Sequence, residues 1–253
     1  MIRPPADALA EVETLLVCVD FDGTICELHT DAYAVSPHPK AITALEQLAA
    51  MPATTVAVLS GRHLDGLRMV CPLGDPVILV GSHGAEPTSG GPTLTGPQHA
   101  YLERVEASLL ELVAGNAPAF VENKPYQRVL HVAELAAADP ERAQALLDAA
   151  LALDTGGVPG MPGHNVVEFS VVGTTKGTWL AAEKTGYSAT LFAGDDTTDE
   201  TALAVLDAAA GDIGIKVSAD PDIATAAPYR LDSVDAMANY LVTLAAARQS
   251  ARG

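Results

Sequence analysis

Positive charge is what this chain has least of. Lys and Arg number 14 against 32 Asp and Glu, a formal net charge of −18 over 253 residues. That balance argues against nucleic acid and anionic membrane surfaces as partners, since both need clustered cations. An anionic small substrate stays open, because a local basic cluster or a bound metal decides that case. Long apolar runs are missing too. None approaches the roughly 20 residues of a membrane span, and the N-terminal MIRPPADALAEVE lacks the apolar core of a secretory leader. Cysteine is scarce: Cys18, Cys26 and Cys71 form no metal or redox spacing. Cys18 lies in an apolar run and is expected to pack as a small hydrophobe. The expectation is a cytoplasmic monomer with reduced thiols, binding neither nucleic acid nor membrane.

Core-forming residues are plentiful. Hydrophobic residues make up 49% and charged ones only 18%, so the chain folds, as one large domain or two modest ones. Strand-like runs at Leu15–Val19, Thr55–Leu59, Val77–Val80, Thr190–Ala193 and Ile213–Val217 alternate with amphipathic stretches. Those stretches are Pro39–Ala50, His63–Val70, Lys176–Thr185 and Asp199–Ala209. Such alternation predicts an α/β fold, a Rossmann-like parallel sheet with crossover helices. The pattern breaks between two turn-rich stretches, Pro87–Pro97 and Asp154–Asn165. Helices at Ala100–Val113 and Pro140–Leu153 and strands at Ala119–Asn123, Arg128–Ala133 and Val166–Val171 predict a smaller α+β cap domain there. The expected division is a core of 1–96 and 173–253 with a cap, or lid, at 97–172.

Polar chemistry recurs where the core strands end, the edge at which open α/β sheets bind ligands. DFDGT (Asp20–Thr24) sets two carboxylates two residues apart after a buried run, where each makes the other harder to ionise. LSGR (Leu59–Arg62) brings a hydroxyl, TKG (Thr175–Gly177) a lysine at a helix start, and GDDTTDE (Gly194–Glu200) more carboxylates. Singly, each is more often a turn, a solvated helix start or a loop cap. Together, oxygen donors from two strand ends with little His or Cys suit a hard cation, magnesium best, which offsets the paired charges.

In that order the four motifs resemble the haloacid dehalogenase superfamily of aspartate-nucleophile phosphotransferases. VGSHGAE (Val80–Glu86), VENKPYQRVLH (Val121–His131) and VVEFSVVGTTKG (Val166–Gly177) narrow the resemblance to its trehalose-6-phosphate phosphatases. The resemblance implies a magnesium-dependent enzyme acting on a small-molecule sugar phosphate, with Asp20 as nucleophile and Asp22 as general acid and then base. Ser60 and Lys176 would hold the transferring phosphoryl oxygens. Magnesium would meet Asp20, Asp195 and the backbone carbonyl of Asp22, with Asp196 and Asp199 supplying a ligand and a supporting partner in an order left open. Glu122, Lys124 and Glu168 match positions that contact sugar hydroxyls. For His83, lining the mouth with Glu86 stands beside a hinge role, and for Arg62 a substrate contact stands beside capping its loop. The chain departs from the family at Val132 and Ala133, where an aromatic and an arginine are usual. It departs again after Glu168, where Phe169 and Ser170 replace basic residues. Two alternatives remain: another sugar- or glycosyl-phosphate phosphatase, and a receiver-like module that only accepts phosphate.

Overall fold

The computed structural model describes residues 4–29, 31 and 33–252. Along the chain run α1 (Ala6–Ala10), β1 (Leu15–Val19), α2 (Pro39–Ala49), β2 (Thr54–Leu59), α3 (Leu64–Val70), β3 (Ile78–Gly81) and β4 (Glu86–Pro87). Then come α4 (Gly96–Val113), β5 (Phe120–Lys124), β6 (Gln127–His131), α5 (Ala133–Ala138), α6 (Pro140–Leu151), β7 (Met161–Gly163) and β8 (Val166–Ser170). The last are α7 (Lys176–Glu183), β9 (Ala189–Gly194), α8 (Glu200–Leu203), β10 (Ile213–Val217), β11 (Tyr229–Leu231) and α9 (Val234–Arg252). They form two compact units: the chain up to Gly91 with the chain from Thr174 onward, and Pro92–Gly173.

The larger unit is built on a seven-stranded sheet in the order β11-β10-β9-β1-β2-β3-β4. Only β4 runs antiparallel to its neighbour. The central β1 shows why its sequence is apolar throughout. Leu15, Val17 and Val19 pack with Leu45 and Leu48 of α2 and Met237, Leu241 and Leu244 of α9. Leu16 and Cys18 face the other way, with Leu180 of α7 and Leu203 of α8. A strand covered on both faces has no polar side to alternate with. Cys18, Cys26 and Cys71 are free and buried.

The expected helix Asp199–Ala209 is corrected. Helix ends at Leu203, and a separate 3-10 turn spans Ala208–Ala210. Asp207 breaks the run, because its carboxylate accepts from Ala209 N–H and its own N–H donates to the buried Asp212 at 2.9 Å. The 19-residue α9 was not anticipated. It is tied down by Arg248, a fully buried guanidinium that donates to Thr54 Oγ1 and to the carbonyls of Leu9, Ala10, Val12 and Ala53 at 2.7–3.2 Å. Burial, with Arg252 adding to it, pushes Arg248 down to about 10. Among the described residues no helix is long and apolar enough to cross a membrane.

The smaller unit has an antiparallel sheet, β5-β6-β8-β7. One sheet face carries Leu130, Val167 and Phe169 into a core with Leu102, Val105 and Leu109 of α4, Leu135 of α5 and Leu146 of α6. By the two-residue period of a strand, the opposite face carries Glu122, Lys124, Gln127, His131 and Glu168.

Candidate active site

Two neighbouring strands deliver the acidic residues to one edge. β1 and β9 pair in parallel with Val19 opposite Ala193, and Asp20 N–H donates to the Ala193 carbonyl at 2.9 Å. The next residues of both strands therefore emerge side by side: Asp20 and Thr24 from one, Asp195 and Asp196 from the other. Asp20 is buried, with Oδ1 accepting from Lys176 Nζ at 2.6 Å and Oδ2 from the Thr24 hydroxyl at 3.3 Å. Lys176 opens α7 behind the N-cap Thr175 and is itself buried. Its ammonium also donates to Asp199 Oδ1 at 2.7 Å.

Burial pushes the Asp20 carboxyl well above the usual carboxylate range, with Lys176 opposing and Asp199 adding to the rise. Burial acts to lower Lys176, yet the charges of Asp20 and Asp199 outweigh it and hold the ammonium above its ordinary value. Burial and the nearby Asp199 and Asp196 charges push Asp195 up to about 6. Burial also acts to raise Asp196, but hydrogen bonds from Thr198 win and leave it below the usual range. For Asp20 and Asp195, burial and neighbouring carboxylates together disfavour the charged form.

Asp20, Asp195 and Asp199 each offer a carboxylate oxygen within 4.8 Å of the others. Two glycines make the room. A Cβ at Gly23, whose φ is +75°, would stand 2.1 Å from the Asp195 carboxylate, and one at Gly194 would stand 2.2 Å from that of Asp199. The donor set is all carboxylate, which fits a hard divalent cation. Asp199 has its hands full: Oδ1 faces Lys176, and Oδ2 accepts from the N–H groups of Asp195 and Asp196 at 3.0 and 3.1 Å. It shapes the loop that carries Asp195. Asp196 lies outside the cluster and uses its carboxylate on Thr198 N–H.

Asp22, expected as the acid and then the base, meets Arg62. Arg62 Nε reaches Oδ2 at 2.7 Å and Nη2 reaches Oδ1 at 2.6 Å. Each aspartate of the DFDGT pair thus has its own cation, Lys176 for Asp20 and Arg62 for Asp22. Ser60 is buried, its hydroxyl accepting from Arg62 N–H at 3.1 Å. His83 follows β3 with its imidazole against Gly61, and the buried Glu86 accepts from the Ser82 hydroxyl.

Sequence reasoning passed over Thr24 and Lys216. Lys216 is buried and donates to the Asp196 carbonyl at 3.1 Å and to Glu200 Oε1 at 2.9 Å, fixing the loop after β9 from below. The signal was there: one lysine inside the apolar run IGIKV.

In the smaller unit, Glu122 stands opposite Val129, which stands opposite Glu168, so the two glutamates share a row on the polar sheet face. Glu122 Oε2 lies 2.9 Å from His131 Nε2 and 3.8 Å from Lys124 Nζ. His131 stacks on the half-exposed Phe120 ring, centroids 4.7 Å apart. Val132 is buried at the start of α5.

A parallel sheet with an aspartate just past its central strand, a lysine against it and a second acidic loop from the adjacent strand defines a fold and site of the haloacid dehalogenase type. The family model for trehalose-phosphatase matches residues 18–235, and the chain belongs to that family. It is 31% identical over 243 residues to a trehalose-phosphate phosphatase of Mycobacterium ulcerans, covering 90% of this chain and 61% of that protein. It is 30% identical over 225 residues to a bifunctional trehalose-6-phosphate synthase/phosphatase of Thermoproteus tenax, covering 85% and 30%. The chain thus spans about three fifths of the length of its mycobacterial relatives. The fold is shared with the C-terminal domain of the C. albicans trehalose-6-phosphate phosphatase, with a TM-score of 0.75, 19% identity and 95% of both chains covered.

Proposed function

We propose that the chain is a cytoplasmic, magnesium-dependent phosphatase that hydrolyses trehalose 6-phosphate to trehalose and phosphate through an aspartyl-phosphate. Family membership supports the substrate. The observation that carries the chemistry is the buried Asp20 carboxylate, held 2.6 Å from Lys176 within an all-carboxylate cluster.

In the proposed reaction Asp20 Oδ attacks phosphorus as the bond to the sugar oxygen breaks, and Asp22 gives that oxygen its proton. A water then attacks the phosphoryl group, its proton passes to Asp22, and Asp20 is freed. Lys176 holds Asp20 in direction and offsets negative charge on the phosphoryl oxygens, with Ser60 as a further donor. Asp20 and Asp195 would hold the metal with the Asp22 carbonyl, and Asp199 would fix the Asp195 loop. When bound, magnesium would neutralise charge on the transferring group. Glu122, Lys124 and Glu168 are assigned to the sugar, because carboxylates accept from hydroxyls. The test is phosphate release from trehalose 6-phosphate and a panel of other sugar phosphates, with magnesium and with chelator. Full activity in excess chelator would overturn the metal, a better substrate in the panel would overturn the sugar, and one stoichiometric, stable phosphorylation would favour a receiver-like module.

A further inference from the structure

Arg62 makes the tightest charged contact of the site that the proposed reaction leaves without a role. Its two parallel bonds to Asp22, at 2.7 and 2.6 Å, fix that carboxylate in direction as well as distance. The guanidinium also lies over the Phe21 ring, 5.7 Å from its centroid, which restrains the fork from one side.

The backbone of Arg62 is held as firmly. Its N–H donates to Ser60 Oγ at 3.1 Å, and its carbonyl accepts from Ser82 N–H at 2.7 Å. Ser82 and His83 have φ of +46° and +54°, a left-handed conformation uncommon for side chains with a Cβ. Strain of this kind persists only where its surroundings hold it. Here the Ser82 hydroxyl donates to Glu86 Oε1, and Glu86 Oε2 accepts from Leu64 N–H at 3.4 Å. His83 N–H donates to the Ser60 carbonyl at 2.9 Å. The loop after β3 therefore grips the loop after β2 at Ser60 and Arg62.

We propose that Arg62 is a positioning residue for Asp22, and that Ser82 and Glu86 form the clamp that keeps Arg62 in place. The proposal rests on the reading of Asp22 as proton donor and acceptor. Both transfers need a carboxyl oxygen at one fixed place, beside the sugar oxygen as its bond to phosphorus breaks and beside water as its bond to phosphorus forms. A two-pronged donor supplies that. A single ammonium, free to rotate, would not.

The test is a double-mutant cycle of Arg62→Met with Asp22→Asn, with Arg62→Lys as the conservative variant and thermal melts to verify folding. On trehalose 6-phosphate, Arg62→Met should lower kcat about ten- to a hundredfold, part of what acid–base catalysis supplies, with KM changed far less. Arg62→Lys should recover part of that. In the Asp22→Asn background, Arg62→Met should change kcat by less than about twofold, since no acid–base group is left to position. With nitrophenyl phosphate, whose leaving group needs no proton, the Arg62→Met enzyme should accumulate phospho-enzyme. Glu86→Gln should give the same signature at smaller amplitude. Multiplying losses in the Asp22→Asn background would overturn the positioning role. So would a rise in KM for both substrates matched by weaker inhibition by inorganic phosphate, which would put Arg62 on the phosphoryl group itself. If Asp22→Asn alone left both half-reactions intact, the acid–base reading would fall and this proposal with it.

Discussion

The edge of the parallel sheet and the polar face of the insert's sheet both gather acids and bases, but on different terms. At the core edge Asp20, Lys176 and Asp199 are nearly removed from water, and each charged oxygen or ammonium is aimed at a named partner within 3.3 Å. In the insert Glu122 and His131 remain more than a quarter exposed, and the Glu122–Lys124 separation is 3.8 Å. Buried charges are fixed by strong interactions and are costly to unbalance. Half-exposed ones are held loosely and contribute little to stability. The first arrangement suits a group that must attack one atom from one direction. The second suits side chains that exchange water for the hydroxyls of a ligand.

The sharpest way to break the comparison is at Asp20. Asp20→Asn should reduce turnover of every phosphate ester to background, because an amide cannot form the acyl-phosphate, while a folded protein remains. Phosphate release from trehalose 6-phosphate and from nitrophenyl phosphate measures this. Substantial residual activity on either would remove Asp20 as nucleophile.

Lys176 should show the cost of unbalancing the core edge. Lys176→Met leaves Asp20 and Asp199 buried without their cation, which costs about 3–5 kcal/mol of folding stability. At this chain length that is a fall in Tm of roughly 6–20 °C. Activity on both substrates should fall about 100- to 1000-fold, the scale for losing one transition-state donor. A variant that lost activity on the sugar phosphate alone would place Lys176 in recognition.

How far the sequence reveals this depends on what each residue answers to. The core strands and the placing of Asp20, Ser60 and Asp195 directly after them follow from apolar runs ending in polar motifs. β1 has the same limits in sequence and structure, Leu15–Val19. The partner of Asp22 was not legible, because Arg62 is 40 residues away and only the folded loops bring it close. The roles of Asp196 and Asp199 were not separable, since both are acidic residues of one loop and only their hydrogen bonds differ. α9 escaped notice because its alanines blur the apolar stripe, and its anchor, Arg248, reads as a surface residue until five acceptors surround it.

In the insert the expected effect is smaller and selective. Glu122→Gln should lower kcat/KM for trehalose 6-phosphate about ten- to a hundredfold, the worth of a charged hydrogen bond. It should leave nitrophenyl phosphate nearly unchanged, because that ester offers no hydroxyls. Its Tm should move little, since the pair is partly exposed. Equal losses on both substrates would make Glu122 a support of the insert's fold.

The smallest effect concerns metal and protons together, and it should belong to the core edge alone. Asp195 is pushed up to about 6 by burial and by Asp199 and Asp196. A carboxyl raised in the folded state contributes stability that is fully present below about pH 4 and is lost as pH rises through about 6. Above that range the cluster carries repulsion that a divalent cation relieves, so magnesium should raise Tm. At pH 5 a proton occupies Asp195 in most molecules and competes with the metal, weakening its binding about tenfold for a one-unit difference. At a magnesium concentration about 100 times the pH 7 Kd, stabilisation of about 2.7 kcal/mol should shrink to about 1.4 kcal/mol at pH 5. The magnesium-induced rise in Tm should therefore be about 3–5 °C smaller at pH 5 than at pH 7. Melting curves with and without magnesium at the two pH values, repeated on Asp195→Asn, measure it. In Asp195→Asn the difference between the two pH values should collapse. If it persists undiminished, Asp20 or another group sets the proton competition. If magnesium stabilises neither form, the carboxylate cluster is not its site.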